Sequence, residues 1–357
     1  MCIRDSINCA LLVGKQKTAD RRQILSAIEN GMINVVVGTH ALIQKDVKFN
    51  NLGFIVVDEQ HRFGVVQRRD LLEKGLHPHL LAMTATPIPR TMAITYHGDM
   101  DLSIIDELPK NRPEIFTSQI QRNNLDTAYD FIMEKAKNNE QSIIVYPLIE
   151  ETEKQDLEAA NQSYLDLKDS VFQDYTVGLI HGRLDTDEKN EIMTKFMDNK
   201  IQILISTTVI EVGIDNPNAS VILINNCERF GLSQIHQLRG RVGRGLLTSY
   251  CILCSDSGAE NTKQRLSILT QTRNGFEIAD EDLKLRGPGD LLGTKQSGIL
   301  KFKIADIIND HDILANAREC VSDILSTDPK LKSPTNSSIR DYISHSGKSK
   351  NLWRYIS

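Results

Sequence analysis

Apolar residues fall in short blocks along this chain, and the blocks alternate with stretches of helical spacing. Ile24, Leu25 and Ile28 share one face of a helix that Thr18 is placed to cap and Gly31 to end. Val35–Val37, Phe54–Val57 and Leu80–Met83 are continuous apolar runs that stop at polar residues. Runs of that length between helical segments predict buried strands of a parallel sheet.

The pattern breaks at Leu108-Pro109-Lys110-Asn111-Arg112-Pro113, where two prolines mark a linker. A second alternating series follows. Ile143–Tyr146, Val177–Ile180, Ile201–Ile205 and Val221–Ile224 predict strands, with helices over Asp126–Lys137 and Asp187–Met197 between them. Past Cys254 the spacing turns helical. Asn261–Arg273 and Ile278–Leu285 predict a helical hairpin around an Asn274-Gly275 turn. Arg286–Gly298 is a glycine-rich loop, and the basic, Ser-rich stretch from Leu325 onward is weakly periodic. The expected organisation is therefore α/β over residues 1–112 and 113–256, with a helical hairpin, loop and tail over 257–357.

Composition narrows the classes. Hydrophobic residues make up 40% and charged residues 25%, an ordinary globular balance. No apolar run approaches the ~20 residues a membrane-spanning helix needs. The net charge of −5 excludes a bulk polycation, so any nucleic-acid contact has to be local. Six cysteines, with no signal peptide, point to a reducing, cytoplasmic setting. Cys251-Ile252-Leu253-Cys254 lies in an apolar run without a second ligand pair, so a buried strand explains it better than zinc.

Candidate chemistry clusters at strand ends. Asp58-Glu59-Gln60-His61 directly follows the Phe54–Val57 run, at the edge where wound sheets bind ligands. One carboxylate there can hold Mg²⁺ while the next takes a proton from an attacking water. Alone, the tetrapeptide reads better as an acidic loop capping the next helix. Thr84-Ala85-Thr86-Pro87 brings two hydroxyls to the same edge and shifts that balance. Ser206-Thr207-Thr208 with Gly213 and Asp215 suits contacts to phosphate oxygens and a sugar. Gln237-Leu238-Arg239-Gly240-Arg241-Val242-Gly243-Arg244 sets Arg241 and Arg244 three apart, on one side if the segment is helical. Two guanidiniums on one face suit a triphosphate.

This ordered set resembles the boxes of superfamily 2 helicases. DEQHRFGV (58–65), TATPIPRT (84–91) and RGPGDLLGTKQSG (286–298) narrow the likeness to the RecG family of bacterial branched-DNA helicases. The resemblance implies two RecA-like lobes, the first truncated, and a C-terminal translocation hairpin and loop. It implies ATP with Mg²⁺ between the lobes, with Asp58, Glu59, Gln60 and His61 catalytic alongside Gln237, Arg241 and Arg244. Gly213 and Asp215 would touch the nucleotide. Thr39, His40, Thr207 and Thr208 would touch DNA, and Thr84, Thr86, Arg265 and Gln296 would couple hydrolysis to movement. The implied partner is branched double-stranded DNA, engaged by a bacterial cytoplasmic monomer. No Gly-x-x-x-x-Gly-Lys-[Ser/Thr] loop occurs, since Gly14-Lys15 is followed by Gln16 and Gly347-Lys348-Ser349 lacks the earlier glycine. The expectation is the C-terminal part of a longer helicase. Two alternatives stay open: a transcription-repair coupling translocase, or a noncatalytic DNA-binding chain.

Overall fold

A computed structural model describes residues 7–14, 16–59, 63–85, 101–107, 109, 112–147, 162–207, 216–256, 259–286 and 310–345. The chain divides into two compact units, Met1–Thr86 and Pro87–Ser357.

In the first unit, β1 (Cys9–Leu12) pairs in parallel with β2 (Val35–Gly38), and α1 (Thr18–Glu29) connects them. β3 (Phe54–Val57) pairs in parallel with β4 (His79–Ala82) through α2 (Val65–Leu72). α1 begins one residue earlier than its capping pattern predicts. Lys17 takes the N-cap position with no side-chain bond, and Thr18 is already helical. Gly31, at φ 71°, ends it as expected. The strands are not buried on both faces: Ile55 and Val57 face inward, whereas Phe54 is 59% and Val56 52% exposed. A continuous apolar run predicts burial of both faces, but alternate side chains point opposite ways, and among the described residues only the Ile55–Val57 face carries a packed cluster.

The second unit holds a six-stranded parallel sheet. Its strands are β5 (Ile115–Gln121), β6 (Gln141–Val145), β7 (Val177–Ile180), β8 (Ile203–Ser206), β9 (Ala219–Ile224) and β10 (Ser249–Ser255). Their spatial order is β5-β10-β9-β6-β8-β7. Here the apolar runs are buried on both faces. Ile143, Val145, Ile222 and Ile224 point into one layer with Phe196 of α4 (Thr186–Met197) and Leu232, Ile235 and Leu238 of α5 (Leu232–Arg239). Ile144, Val221, Leu223 and Ile205 point into the other, against Ala128, Tyr129 and Ile132 of α3 (Leu125–Lys137). Each fully buried Ile or Leu removes enough apolar surface to contribute ~1.5–3 kcal/mol. α4 is capped by Asp185, whose carboxylate accepts the Glu188 N–H at 2.8 Å, while Glu188 accepts the Asp185 N–H at 3.2 Å.

Two helices, α6 (Glu260–Gln271) and α7 (Gly275–Arg286), occupy the segment where a helical hairpin is expected. Asn274-Gly275 is not its turn. Gly275 is already the first residue of α7, and the Asn274 side chain accepts the Phe276 N–H at 2.9 Å. Two further helices follow: α8 (His311–Thr327), which ends just inside the weakly periodic stretch from Leu325, and α9 (Ser337–His345), which lies within it. Asp328 ties them by accepting from Lys332 N–H, Ser333 N–H and Asn336 Nδ2 at 2.8–3.0 Å. No helix among the described residues is long and apolar enough to cross a membrane.

Candidate functional site

The β3–β4 pairing brings two of the sequence boxes together. Val57 lies beside Ala82, and the Met83 N–H donates to the Val57 carbonyl at 2.8 Å, so Asp58-Glu59 and Thr84-Ala85 leave neighbouring strands side by side. The Glu59 N–H donates to Asp58 Oδ1 at 2.9 Å, and the Ala85 N–H reaches Glu59 Oε2 at 3.4 Å. Glu59 has φ 50°, the left-handed region that a non-glycine residue seldom occupies. Conformations of this kind concentrate at functional sites. Asp58 is exposed and Glu59 half-buried. Gln60, His61 and Thr86 lie outside the described residues.

At the end of β2, Gly38 lets the backbone pass close to its neighbour: a Cβ there would sit 2.2 Å from the Leu12 carbonyl oxygen. That approach sets Thr39 and His40 at the surface, as the N-cap and first residue of a short 3₁₀ turn (His40–Ile43). The His40 ring stacks on Phe63 with centroids 4.6 Å apart. The same turn is pinned by Arg21, which donates to Gln44 and to Asp46 at 2.7 and 2.9 Å. Hydrogen bonding from Arg21 holds the Asp46 carboxyl below its ordinary value.

In the second unit the arginine box is not one helical face. α5 stops at Arg239, and Arg241 to Arg244 form a turn in which Gly243 has φ 72°. A Cβ on Gly243 would also lie 2.9 Å from Ile115, so this glycine serves the turn twice. Gln237 is on α5 and half-buried, Arg241 is half-buried in the turn, and Arg244 is exposed, its Nε donating to the Gly240 carbonyl at 3.0 Å. Arg239, which sequence reasoning passed over, is the buried arginine. It donates to the Leu269 and Thr272 carbonyls at 2.8 and 3.2 Å and bonds to His236 Nδ1 at 3.0 Å. Burial, reinforced by the charges of Arg239 and Arg112, pulls the His236 pKa down to about 4. The spacing of Arg239, Arg241 and Arg244 alone carries no signal for which one is buried.

Thr207 is not at the surface. It is fully buried after β8, its hydroxyl lacks a partner, and its N–H donates to Ile180 at 3.3 Å. Thr208, Gly213 and Asp215 lie outside the described residues. Arg265 of α6 donates to the Glu228 and Phe230 carbonyls at 2.6 and 3.1 Å, which ties the hairpin to the segment that leads into α5. Gln296, its expected partner, is outside the described residues. Cys251 and Cys254 are buried in β10, and burial pushes their thiols up to about 12 and about 11, which opposes the thiolate a metal needs. No cluster of three or more metal-ligating side chains occurs among the described residues.

Parallel α/β units with these boxes define a RecA-like core of the superfamily 2 helicase class. Three family descriptions match in order along the chain: DEAD/DEAH box helicase at 2–94, helicase conserved C-terminal domain at 123–245, and ATP-dependent DNA helicase RecG, domain 3, C-terminal, at 272–357. The chain is 50% identical to the ATP-dependent DNA helicase RecG of Synechocystis sp. over 90% of its own length and 39% of that relative. It is 46% identical to RecG of Bacillus subtilis over 96% of its length and 50% of that relative. A solved structure of RecG bound to a three-way DNA junction superimposes with a TM-score of 0.67 at 44% identity, covering 87% of this chain and 40% of that one. Within the helicase class, the chain is RecG-like. It spans between 39% and 50% of the length of these curated relatives.

Proposed function

We propose that this chain supplies the water-activating, charge-stabilising and translocating parts of an ATP-dependent helicase that remodels branched DNA. The observation that carries this reading is Glu59. A carboxylate at the carboxyl end of a parallel strand is held in a left-handed backbone and met by the Ala85 N–H of the neighbouring box. Such a group is placed to orient and deprotonate water.

Asp58, beside that base, offers hard carboxylate oxygens, which fit Mg²⁺. Magnesium commonly takes one or two carboxylates and completes its shell with phosphate and water oxygens. When bound, it would neutralise charge developing on the phosphates. In the second unit, Arg241 and Arg244 are the guanidiniums suited to phosphate charge, carried on a turn rather than a helix. Thr39 and His40 are the exposed DNA-facing candidates of the first unit. Buried Thr207 is better suited to holding the β7–β8 strand ends than to direct contact. Similarity to the junction-bound RecG supports branched DNA as the substrate. The protein would work as a monomer in the bacterial cytoplasm.

The deciding experiment uses a full-length RecG-type helicase carrying these residues. Glu59→Gln should retain nucleotide binding and lose about 10²–10⁴ in DNA-stimulated turnover, the usual contribution of a general base. Turnover within threefold of the parent would remove Glu59 from the base role.

A further inference from the structure

In the second unit, the strand order reverses between β6 and β9, since β7 and β8 lie to one side of β6 while β9 and β10 lie to the other. Crevices beyond the carboxyl ends of strands at such a reversal are where open α/β sheets bind ligands. A cavity of about 200 Å³ is found there, lined by Arg122, Tyr129, Tyr146, Asn225 and Asp256. None of these residues belongs to the helicase boxes described above.

Asn225 directly follows β9 and is only 4% exposed, yet its Nδ2 has no hydrogen-bond partner. Its backbone N–H donates to the Val145 carbonyl at 2.9 Å, so the residue is fixed in place by the sheet. A buried amide with two unused N–H donors is costly unless an acceptor arrives. Tyr129 and Tyr146 contribute aromatic surface and hydrogen-bond to each other. At the rim, Arg122 pairs with Asp256 at 3.1 Å, so the local positive charge is already compensated.

We propose that this cavity accepts one unpaired nucleobase of a DNA strand, with Asn225 donating to a ring nitrogen or carbonyl of the base. The volume lies below the ~300–1,000 Å³ typical of whole-ligand pockets, which excludes a nucleoside triphosphate but suits a flat ring. The compensated charge disfavours a phosphate. Every base carries an acceptor for Asn225 and an N–H for a carboxylate such as Asp256, and every base has a face that stacks on tyrosine. The inference rests on the reading that the chain engages DNA. It adds a base-contacting site to the DNA contacts proposed for Thr39 and His40.

The test is fluorescence anisotropy on the full chain with a labelled 12-nucleotide single strand, a strand of equal length built from abasic residues, and a duplex. The natural strand should bind about tenfold more tightly than the abasic one, in line with the contribution of stacking one base. Asn225→Leu removes the donors and should shrink that gap below twofold without lowering the unfolding temperature, because an apolar group replaces an unpaired amide. Asn225→Asp, of the same size, should shrink it likewise and serves if the leucine variant misfolds. Equal affinity for natural and abasic strands, or a gap that survives both substitutions, would overturn the site. Normal duplex binding alongside such a result would leave the DNA-engaging reading intact, whereas loss of all DNA binding by the parent chain would remove that reading as well.

Discussion

Single positions in this chain are set by backbone geometry as much as by chemistry. Gly240 and Gly243 bracket Arg241-Val242, yet they differ. Gly243 has φ 72° and no room for a Cβ, while Gly240 is in the right-handed helical region with its nearest neighbour at 3.3 Å. Gly243→Ala should therefore cost about 1–3 kcal/mol, read from urea unfolding, and Gly240→Ala under about 1 kcal/mol. His236 gives a pH test. Its ordinary pKa of 6.5 falls to about 4 in the folded chain, so the unfolded state takes up the proton first as pH drops. The stability it contributes is complete above pH 6.5 and is lost progressively toward pH 4. His236→Gln should flatten the fall of the urea midpoint across that window. An unchanged slope would mean that another group governs it.

Among the elements, the two groups of strands invite opposite expectations from similar sequences. Ile143 is fully buried in a sheet covered on both faces, whereas Val37 of β2 is 59% exposed. Ile143→Ala should cost about 2–5 kcal/mol and Val37→Ala no more than about 0.5 kcal/mol, measured by chemical unfolding. The hairpin is tied to the segment before α5 by Arg265, so its role can be separated from simple bracing. In a full-length RecG-type helicase, Arg265→Ala should retain most DNA-stimulated ATP hydrolysis while junction unwinding collapses. A parallel fall of hydrolysis, unwinding and unfolding temperature would make the contact a static brace.

For the molecule as a whole, these 357 residues contain no Gly-x-x-x-x-Gly-Lys-[Ser/Thr] loop, the usual backbone cradle for triphosphate. The chain by itself should therefore hydrolyse ATP at background rates with or without DNA, measured by phosphate release. Turnover above background would show that another part of the chain cradles the phosphates. The alternation of strands and helices was legible without coordinates because period-2 and period-3.6 patterns are local properties. The Asp58, Thr84 and Arg241 boxes were legible because contiguous strings carry them. Burial of Thr207 and Arg239, exposure of one face of β2 and β3, and the break of the arginine box out of α5 were not. Those outcomes depend on which neighbour covers a residue, and that neighbour is distant in sequence. Arg239 is capped by Leu269 and Thr272, some thirty residues on, and Glu59 is met by Ala85, twenty-six residues on. Residue order determined the elements and the chemical groups at their ends. The pairing of β3 with β4 and the reversal of strand order at β6 decided which of those groups meet, because hydrogen-bonded strands bring together carboxyl ends that the chain itself holds far apart.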